Sequence, residues 1–532
     1  MDEGKGWKGR RIKSMQIKMK GKVIYQYSVK RLVYALCFLL LCIIDQRCKS
    51  VPGRWEFRDL TGTVMAVMIL SHYRLEDFRK CKIPHLIWTA VWIIGVPIAF
   101  LHKSVFIVLA DWVVIALGVV LFGYVLIQTF ISAAVQKKHP KCNIKFGTVW
   151  LVMMLLMILS RSTYLWPFSY LVMFGCFYLT DFSDIEKKDM FQCMLDGIIL
   201  GFFALQGWCF VFRPYDLVRY YGAFNGPNMN ALFYVIVLAA VFTKILYVVK
   251  NQSNKWIRLY YWVGAGVLLS FELLTIGRMG WLTALFLVIA FLCFLAKVQL
   301  HGKWWKNLLA LVLSACLTFP LCFSAIRYLP PLFHHPVWFP GEWSQSRVHS
   351  WDPWDSEKYI DLDEYAEAAV GRILESFKNV LEHSPFVLKA DAAEADSSNS
   401  EPVLTSEKDS FAVRQKIYGF YLKQLNLWGH PYEEQGFQLT PTYWVYHAHN
   451  IFLQYGTDFG IPVMILFVVV VVWGACILGR QYKRQQSEMA AGCWMFLLIP
   501  VIFGLFEYSW GTGSLSILLM FVAWREVLCY EG

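Results

Sequence analysis

Charge is what this sequence has least of. Asp, Glu, Lys and Arg make up 17% of its 532 residues, while 57% are hydrophobic. A soluble domain carries about a quarter charged residues, so a water-soluble globule is excluded before any motif is read. Further absences narrow the function. No Gly-rich phosphate loop of the P-loop or dinucleotide kind occurs, and no Cys or His spacing of a metal site. Of the 14 cysteines, none falls between Tyr328 and Tyr446, the longest polar stretch, so disulfides do not fold that region. No internal repeat of the kind that builds many transporters is visible. No small-residue cleavage site follows the first apolar run, Leu32 to Ile44, which reads as an uncleaved span and not as a removed signal peptide.

What the sequence does contain is apolar runs of membrane-crossing length, which takes ~20 residues. They begin near Leu32, Thr61, His85, Val105, Val149, Leu165, Met194, Ala231, Trp262, Trp281, Leu308, Ile451, Met489 and Ser514, giving about fourteen spans of which the first two are short. The net charge of +12 is unevenly spread. Lys and Arg collect at the N-terminus and in alternate loops, including His72–Lys82, Gln136–Lys145, Lys250–Arg258, Lys297–Lys306 and Arg480–Arg484. The intervening loops, such as Leu101–Lys103, Ser160–Tyr164 and Glu507–Ser514, are short and nearly neutral. That alternation is the pattern that orients helices in a bilayer, with the basic loops inside. It assigns the positive charge to anionic lipid and excludes nucleic acid as the partner.

The expected protein is thus an all-α polytopic membrane protein of the cytoplasmic membrane with both termini inside. Residues 1–30 form a basic cytoplasmic N-terminus and 31–327 an N-terminal bundle of about eleven spans. Residues 328–446 form a large extracytoplasmic loop, and 447–532 a C-terminal group of about three spans. The loop opens with a Pro- and Trp-rich stretch, Pro330 to Trp354. It continues with a helical pattern over Leu362–His383, an acidic Ser/Ala-rich tether over Ala390–Ser410, and a second helix from Phe411 to about Leu427.

Four segments on the outer side could carry chemistry. The sequence His447-Ala448-His449-Asn450-Ile451-Phe452-Leu453-Gln454 stands where the loop returns to the membrane. Asn450 is a good N-cap type, and Asn450, Gln454 and Asp458 share one helical face at i, i+4, i+8. Two histidines at the positive end of a helix are held neutral, as a general base near pH 7 requires. A capped helix with an interfacial histidine accounts for the spacing equally well. Arg278 lies in the tight connection Thr275-Ile276-Gly277-Arg278, where a guanidinium can meet phosphate oxygens; a snorkelling arginine is the plain alternative. Arg414 is a cation on the second loop helix, with Arg372 on the first as a competitor of the same type. The turn Tyr221–Asn230 contains Asn225 and Asn228 and follows Arg213 and Arg219. Asp361 and Asp363 make a D-x-D, which an acidic helix start explains at least as well.

At these residues the chain resembles the O-antigen ligase and polymerase superfamily of bacterial envelope enzymes. That family shows a multi-span bundle, a large late extracytoplasmic loop, and an H-x-H-N-x-x-L-Q motif opening the next span, here His447 to Gln454. The resemblance extends to Arg278 near a helix end, to the loop pair Arg414 and Tyr418, and to the Gly-x-x-Asn-x-x-Asn turn near Asn225 and Asn228. It covers roughly Tyr221 to Ile465. It implies a GT-C-like bundle of about 12–14 spans that needs no metal or other cofactor. Such an enzyme takes a glycan from undecaprenyl diphosphate and passes it, with inversion, to a hydroxyl of a glycan or glycolipid acceptor. By the resemblance His449, or alternatively His447, is the base. Arg278, Arg414 and Arg219 bind the diphosphate, and Asn228, Asn450 and Gln454 support the acceptor or the fold. The motifs do not separate ligase from polymerase. The rival class is a lipid-linked-oligosaccharide flippase, which also runs to about fourteen spans but shows repeats and broken helices. A metal-dependent GT-C enzyme carries an acidic pair in its first outer loop, and Gln46–Phe57 has none.

Overall fold

The computed structural model describes residues 14–19, 22–28, 32, 35–36, 38–39, 42, 143–162, 167, 184–224, 226–298, 304–333, 337, 359–382, 410–431, 434–440, 443–507 and 515–528. The expected spans starting near Thr61, His85, Val105 and Leu165, most of the Pro- and Trp-rich stretch and most of the acidic tether lie outside these residues. The chain divides into two compact units. One comprises Met1–Pro140 and Tyr178–Ala204, the other Lys141–Phe177 and Leu205–Gly532.

In the first unit, β1 (Ser14–Met19) and β2 (Lys22–Ser28) pair antiparallel. Met15, Ile17 and Met19 alternate with Gln16 and Lys18, the period of a strand. Charge alone marked this segment as a basic head and hid that alternation. The helix α2 (Asp184–Phe212) starts in this unit, where Ala35 and Phe38 press on Gly197 and Cys42 on Gly201. Small residues one turn apart let two helices approach closely without water to drive them together.

The second unit is a helical membrane bundle. Its elements are α1 (Ile144–Leu159), α3 (Pro227–Lys250), α4 (Lys255–Leu274), α5 (Arg278–Val298) and α6 (Trp304–Phe333). After the loop come α10 (Ile461–Gln485), α11 (Glu488–Gly504) and α12 (Leu515–Leu528). Six helices among the described residues, from α2 to α6 and α10, are long and apolar enough to cross a membrane; α1 and α11 are shorter. The chain is therefore a multi-pass membrane protein, mostly helical, and its described residues add two small hairpins to the expected all-α architecture.

Helix α3 is apolar around nearly its whole circumference, and residues Ala231 to Leu246, Lys244 included, are buried on every face. A helix without a polar stripe must be surrounded, and α4, α5 and α11 surround this one. Phe242 stacks on Phe291 of α5 with ring centroids 4.2 Å apart. Helices α4 and α6 meet through small and hydroxyl residues: Gly266 against Ser314, and Ser270 bonded to Thr318 at 2.9 Å. On the far side of α6, Leu309, Val312, Leu313, Leu317 and Leu321 are exposed, as they are on a face covered by lipid.

The helix ends sort by charge. At one end Lys250 bonds Gln486 and Glu488, and Tyr482 bonds the Phe294 carbonyl. Lys255, Arg258, Lys297, Lys306, Lys483 and Arg484 lie at the same ends of their helices. At the other end the start of α3, the α4–α5 turn, the close of α11 and the loop elements converge. The loop supplies α7 (Leu362–Glu382), α8 (Ser410–Lys423), and the antiparallel strands β3 (Phe437–Thr440) and β4 (Tyr443–Val445).

The span expected to begin at Ile451 is divided. A nine-residue helix, α9 (Ile451–Phe459), stops at Gly460, and α10 starts afresh. Gly460 has φ +97°, and Pro462 follows in the first turn of α10, where its missing N–H costs nothing. Asn450, Gln454 and Asp458 therefore stand on a separate short helix. A backbone clasp fixes it: His430 N–H donates to Thr457 at 2.8 Å, and Ile461 N–H to Asn426 at 2.8 Å. Gly429 (φ +74°) lies against the Asp458 carbonyl, and Gly460 against that of Leu427.

A methyl group at Gly460 would meet backbone and require φ above zero, so Gly460→Ala is expected to cost about 2–3 kcal/mol. Gly479 sits mid-helix in α10 with open space beside it, so Gly479→Ala should be neutral or stabilise by about 0.5–1 kcal/mol. Thermal unfolding of the purified protein in detergent measures both. Equal midpoints for the two variants would refute the clasp.

Candidate functional site

Local sequence places each side chain of the site. In α8 the apolar residues Ile417 and Tyr421 pack with Val445 and Ala448, which fastens the helix to the hairpin and the histidine turn. The Tyr421 hydroxyl also donates to the Gln435 carbonyl at 2.9 Å. Arg414 and Tyr418, four residues apart, share a neighbouring face of α8. The hydroxyl proton of Tyr418 is shared between the carbonyls of His449, at 3.3 Å, and Leu505, at 3.2 Å. Burial raises the pKa of this phenol, with Arg414 opposing and Glu507 adding to the shift, so it stays a donor.

The histidine turn is held from below by α9. Asn450 caps that helix, its Oδ1 accepting from the N–H groups of Phe452 and Leu453 at 3.0 Å each. Its amide donates to Leu505 at 2.9 Å and ties the turn to the end of α11. Gln454 Oε1 accepts from Ala448 N–H at 2.6 Å, and its Nε2 donates to Asp458 at 2.7 Å. The polar stripe seen in the sequence is thus bonded internally, apart from the buried Asp458 Oδ2, which has no hydrogen-bond partner among the described residues. His449 has φ +48°, a conformation that non-glycine residues adopt rarely and that the surrounding bonds impose.

Glu507 lies at the centre of the network. Its Oε2 is 3.2 Å from His449 Nδ1, and its Oε1 is 3.1 Å from Arg414 Nη2. Asn228 donates to Oε1 at 2.6 Å and accepts from Arg219 Nη2 at 2.7 Å. Arg219 Nε in turn reaches the Thr275 carbonyl at 3.2 Å. Burial alone would raise the Glu507 pKa. Its bond to and the charge of His449, with Arg414 and Asn228, more than offset that, and the carboxyl is held below its usual range.

An ionised carboxylate only accepts, so His449 Nδ1 carries a proton, and whenever the ring is neutral its lone pair is on Nε2. That is the tautomer and orientation in which an imidazole takes a proton from a substrate. The His447 ring lies 4.3 Å from that of His449. Burial, with His449 beside it, lowers the His447 pKa to about 4 against the pull of Glu507, so His447 is neutral near pH 7.

Seven of the eight residues singled out from the sequence therefore join one neighbourhood: His449, His447, Arg414, Arg219, Asn228, Asn450 and Gln454. Arg278 belongs to a second cluster. Its Nη1 is 3.7 Å from Glu375 Oε1, and Arg372 Nη1 is 3.6 Å from Glu375 Oε2. The competing loop arginines are thus separated: Arg414 stands by the histidine and Arg372 by Arg278. The turn before Arg278 holds Ile276 at φ +46°, an outlying conformation for a β-branched residue. Arg213, a further cation noted in the sequence, is buried and bonds the carbonyls of Gly222 (2.6 Å) and Val337 (2.7 Å). Asp361 caps α7 through Glu364 N–H at 2.9 Å. Asn225 lies outside the described residues.

The sequence reading missed Glu507 and Glu375. Glu507 carried a signal, because it is the sole charged residue between Glu488 and Arg525. A lone carboxylate in so apolar a stretch calls for a partner. No protein-family model, curated protein or solved structure matches the chain, so the site is read from its own geometry.

The shifts of Glu507 and His447 both weaken the fold in acid. Glu507, depressed in the fold, contributes stability that is full above pH ~4.5 and lost as pH falls through its folded value. His447, lowered to about 4, stabilises fully above pH ~6.5 and loses that contribution as pH falls towards 4. Glu507→Ala leaves Arg414 without its carboxylate and, with the partners about a quarter exposed, should cost about 2–3 kcal/mol at pH 7. Unfolding midpoints from pH 7 to pH 4 should fall less steeply below pH ~4.5 in this variant than in the wild type. Parallel pH profiles would refute the ionised Glu507.

Proposed function

We propose that the chain is a membrane glycosyltransferase of the O-antigen ligase or polymerase type. It moves a glycan from undecaprenyl diphosphate to an acceptor hydroxyl at the outer face of the cytoplasmic membrane. The observation that carries this reading is the histidine oriented by a buried carboxylate, with Arg414 on the same carboxylate and Arg219 one bond further out. The orientation logic is that of a carboxylate behind a catalytic imidazole. The basic loops at the opposite ends of the helices support the assignment of this end to the outside.

In the proposed reaction His449 Nε2 takes the proton of the acceptor hydroxyl as its oxygen bonds to the anomeric carbon. The bond from that carbon to the phosphate oxygen breaks, and undecaprenyl diphosphate leaves with the electron pair. Attack from the side opposite the leaving group inverts the anomeric centre. Arg414, Arg219 and Arg278 supply the positive charge that a leaving diphosphate needs, in a site where little water screens it. Glu507 stabilises the imidazolium formed in the step and keeps the ring turned with Nε2 towards the acceptor.

Reconstitution with a lipid-linked glycan tests this reading. His449→Ala should lower transfer by at least about 10³-fold while the protein remains monodisperse and in the membrane. Glu507→Gln should lower kcat by about 10²-fold or more with a smaller change in KM, because it disturbs tautomer and orientation. Growth in product chain length identifies a polymerase, and labelling of a different acceptor a ligase. Undiminished transfer by His449→Ala removes the proposed base.

A further inference from the structure

The β3–β4 hairpin has two unlike faces. Its register pairs Phe437 with Val445 and Gln438 with Trp444. Paired residues point to one side of a sheet, and successive residues of a strand to opposite sides. Phe437 and Val445 therefore share the inner face, where Val445 is buried and Phe420 of α8 stacks on Phe437 at 4.6 Å. Trp444 and Gln438 share the outer face, and Tyr446, two residues beyond Trp444, joins them. Trp444 is 48% exposed and Tyr446 42%.

Gly436 keeps the outer face open. Its φ is not positive, so its backbone does not call for glycine. Its surroundings do, because a methyl group there would lie 3.1 Å from the Tyr446 ring and 3.2 Å from that of Trp444. The planes of the two rings differ by 22°, and their centroids are 6.4 Å apart. The rings are thus nearly parallel and widely offset, and neither covers the other.

This aromatic face is firmly placed beside the histidines. Gln435, which precedes Gly436, is fully buried. Its carbonyl accepts from Tyr421 at 2.9 Å, and its Nε2 donates to the His430 carbonyl at 3.0 Å. Its Oε1 accepts from Gln454 Nε2 at 3.4 Å, and Gln454 also holds Ala448, between the two histidines. At the other end Tyr446 runs directly into His447. From there to His449 is at most about 11 Å of extended chain.

A pyranose ring has the matching chemistry. Its C–H faces are apolar and weakly positive, whereas an aromatic face is broad, apolar and negative. Stacking buries the C–H face and leaves the hydroxyls at the rim hydrated. The lipid-covered side of α6 carries leucine and valine, and this face carries two rings and an amide instead.

We propose that Trp444 and Tyr446 form a saccharide-binding platform that holds the acceptor glycan with its reactive hydroxyl towards His449. The inference rests on the transferase reading. It adds that the acceptor is a sugar chain, held by the faces of its rings.

Isothermal titration of the full chain in nanodiscs tests the platform. The probes are the oligosaccharide freed by mild acid from the lipid-linked glycan and, separately, the delipidated oligosaccharide of the producing cell's surface glycolipid. At least one should bind. Trp444→Ala should weaken that binding by about tenfold while the protein stays monodisperse, and Trp444→Phe should restore most of it. In the transfer assay Trp444→Ala should raise the acceptor KM by a similar factor at little cost in kcat. Unchanged affinity in Trp444→Ala, or binding of neither probe by the wild type, overturns the proposal. Unchanged affinity with a thermal midpoint lowered more in nanodiscs than in detergent overturns it in favour of a bilayer anchor. Trp444-dependent binding without glycan transfer would count against the transferase alone. His449-dependent transfer with acceptor KM unchanged in Trp444→Ala would count against the platform alone.

Discussion

A buried charge must be paired, and Glu507 is the charge on which this structure turns. It follows an apolar helix and lies among groups that exclude most water, where an ionised carboxylate is costly unless several donors meet it. Three do: His449, Arg414 and Asn228. Each comes from a different part of the chain, so one carboxylate closes α11, the histidine turn, the loop helix α8 and the start of α3 around a single point. Its charge also selects the tautomer of His449. The same interaction therefore holds the fold together and sets up the imidazole.

Around that point the backbone does what side chains cannot. Gly429 and Gly460 let two segments touch main chain to main chain, and the clasp separates the short helix α9 from the span that follows. His449 and Ile276 adopt positive φ in the two turns that present an imidazole and a guanidinium. Residues held in such conformations cost of order 1–3 kcal/mol and persist where the surroundings over-determine them. Here the surroundings are the Asn450 cap, the Gln454 bond to Ala448 and the Thr275 hydroxyl, which accepts from Gly277 N–H.

The cations fall into two groups with different surroundings. Arg414 and Arg219 belong to a closely bonded network about Glu507, whereas Arg278 and Arg372 share Glu375 at longer range.

The sequence by itself determined the solvent, the apolar helical character of the C-terminal half and most of the polar groups. Apolar runs of span length and the spacing of charge are local properties, written in consecutive residues and independent of what packs on what. The His447–Gln454 segment was legible for the same reason, since capping and i, i+4 relations depend only on neighbours in the chain. The β1–β2 hairpin was missed because short alternation is weak beside a strong charge signal. The break at Gly460 was missed because its φ is imposed by Leu427, distant in sequence. Which arginine stands by the histidine, and that Glu507 joins them, were decided by tertiary structure alone. A carboxylate of ordinary sequence context becomes a hub only when residues 228, 414 and 449 are brought to it, and no local pattern encodes that meeting.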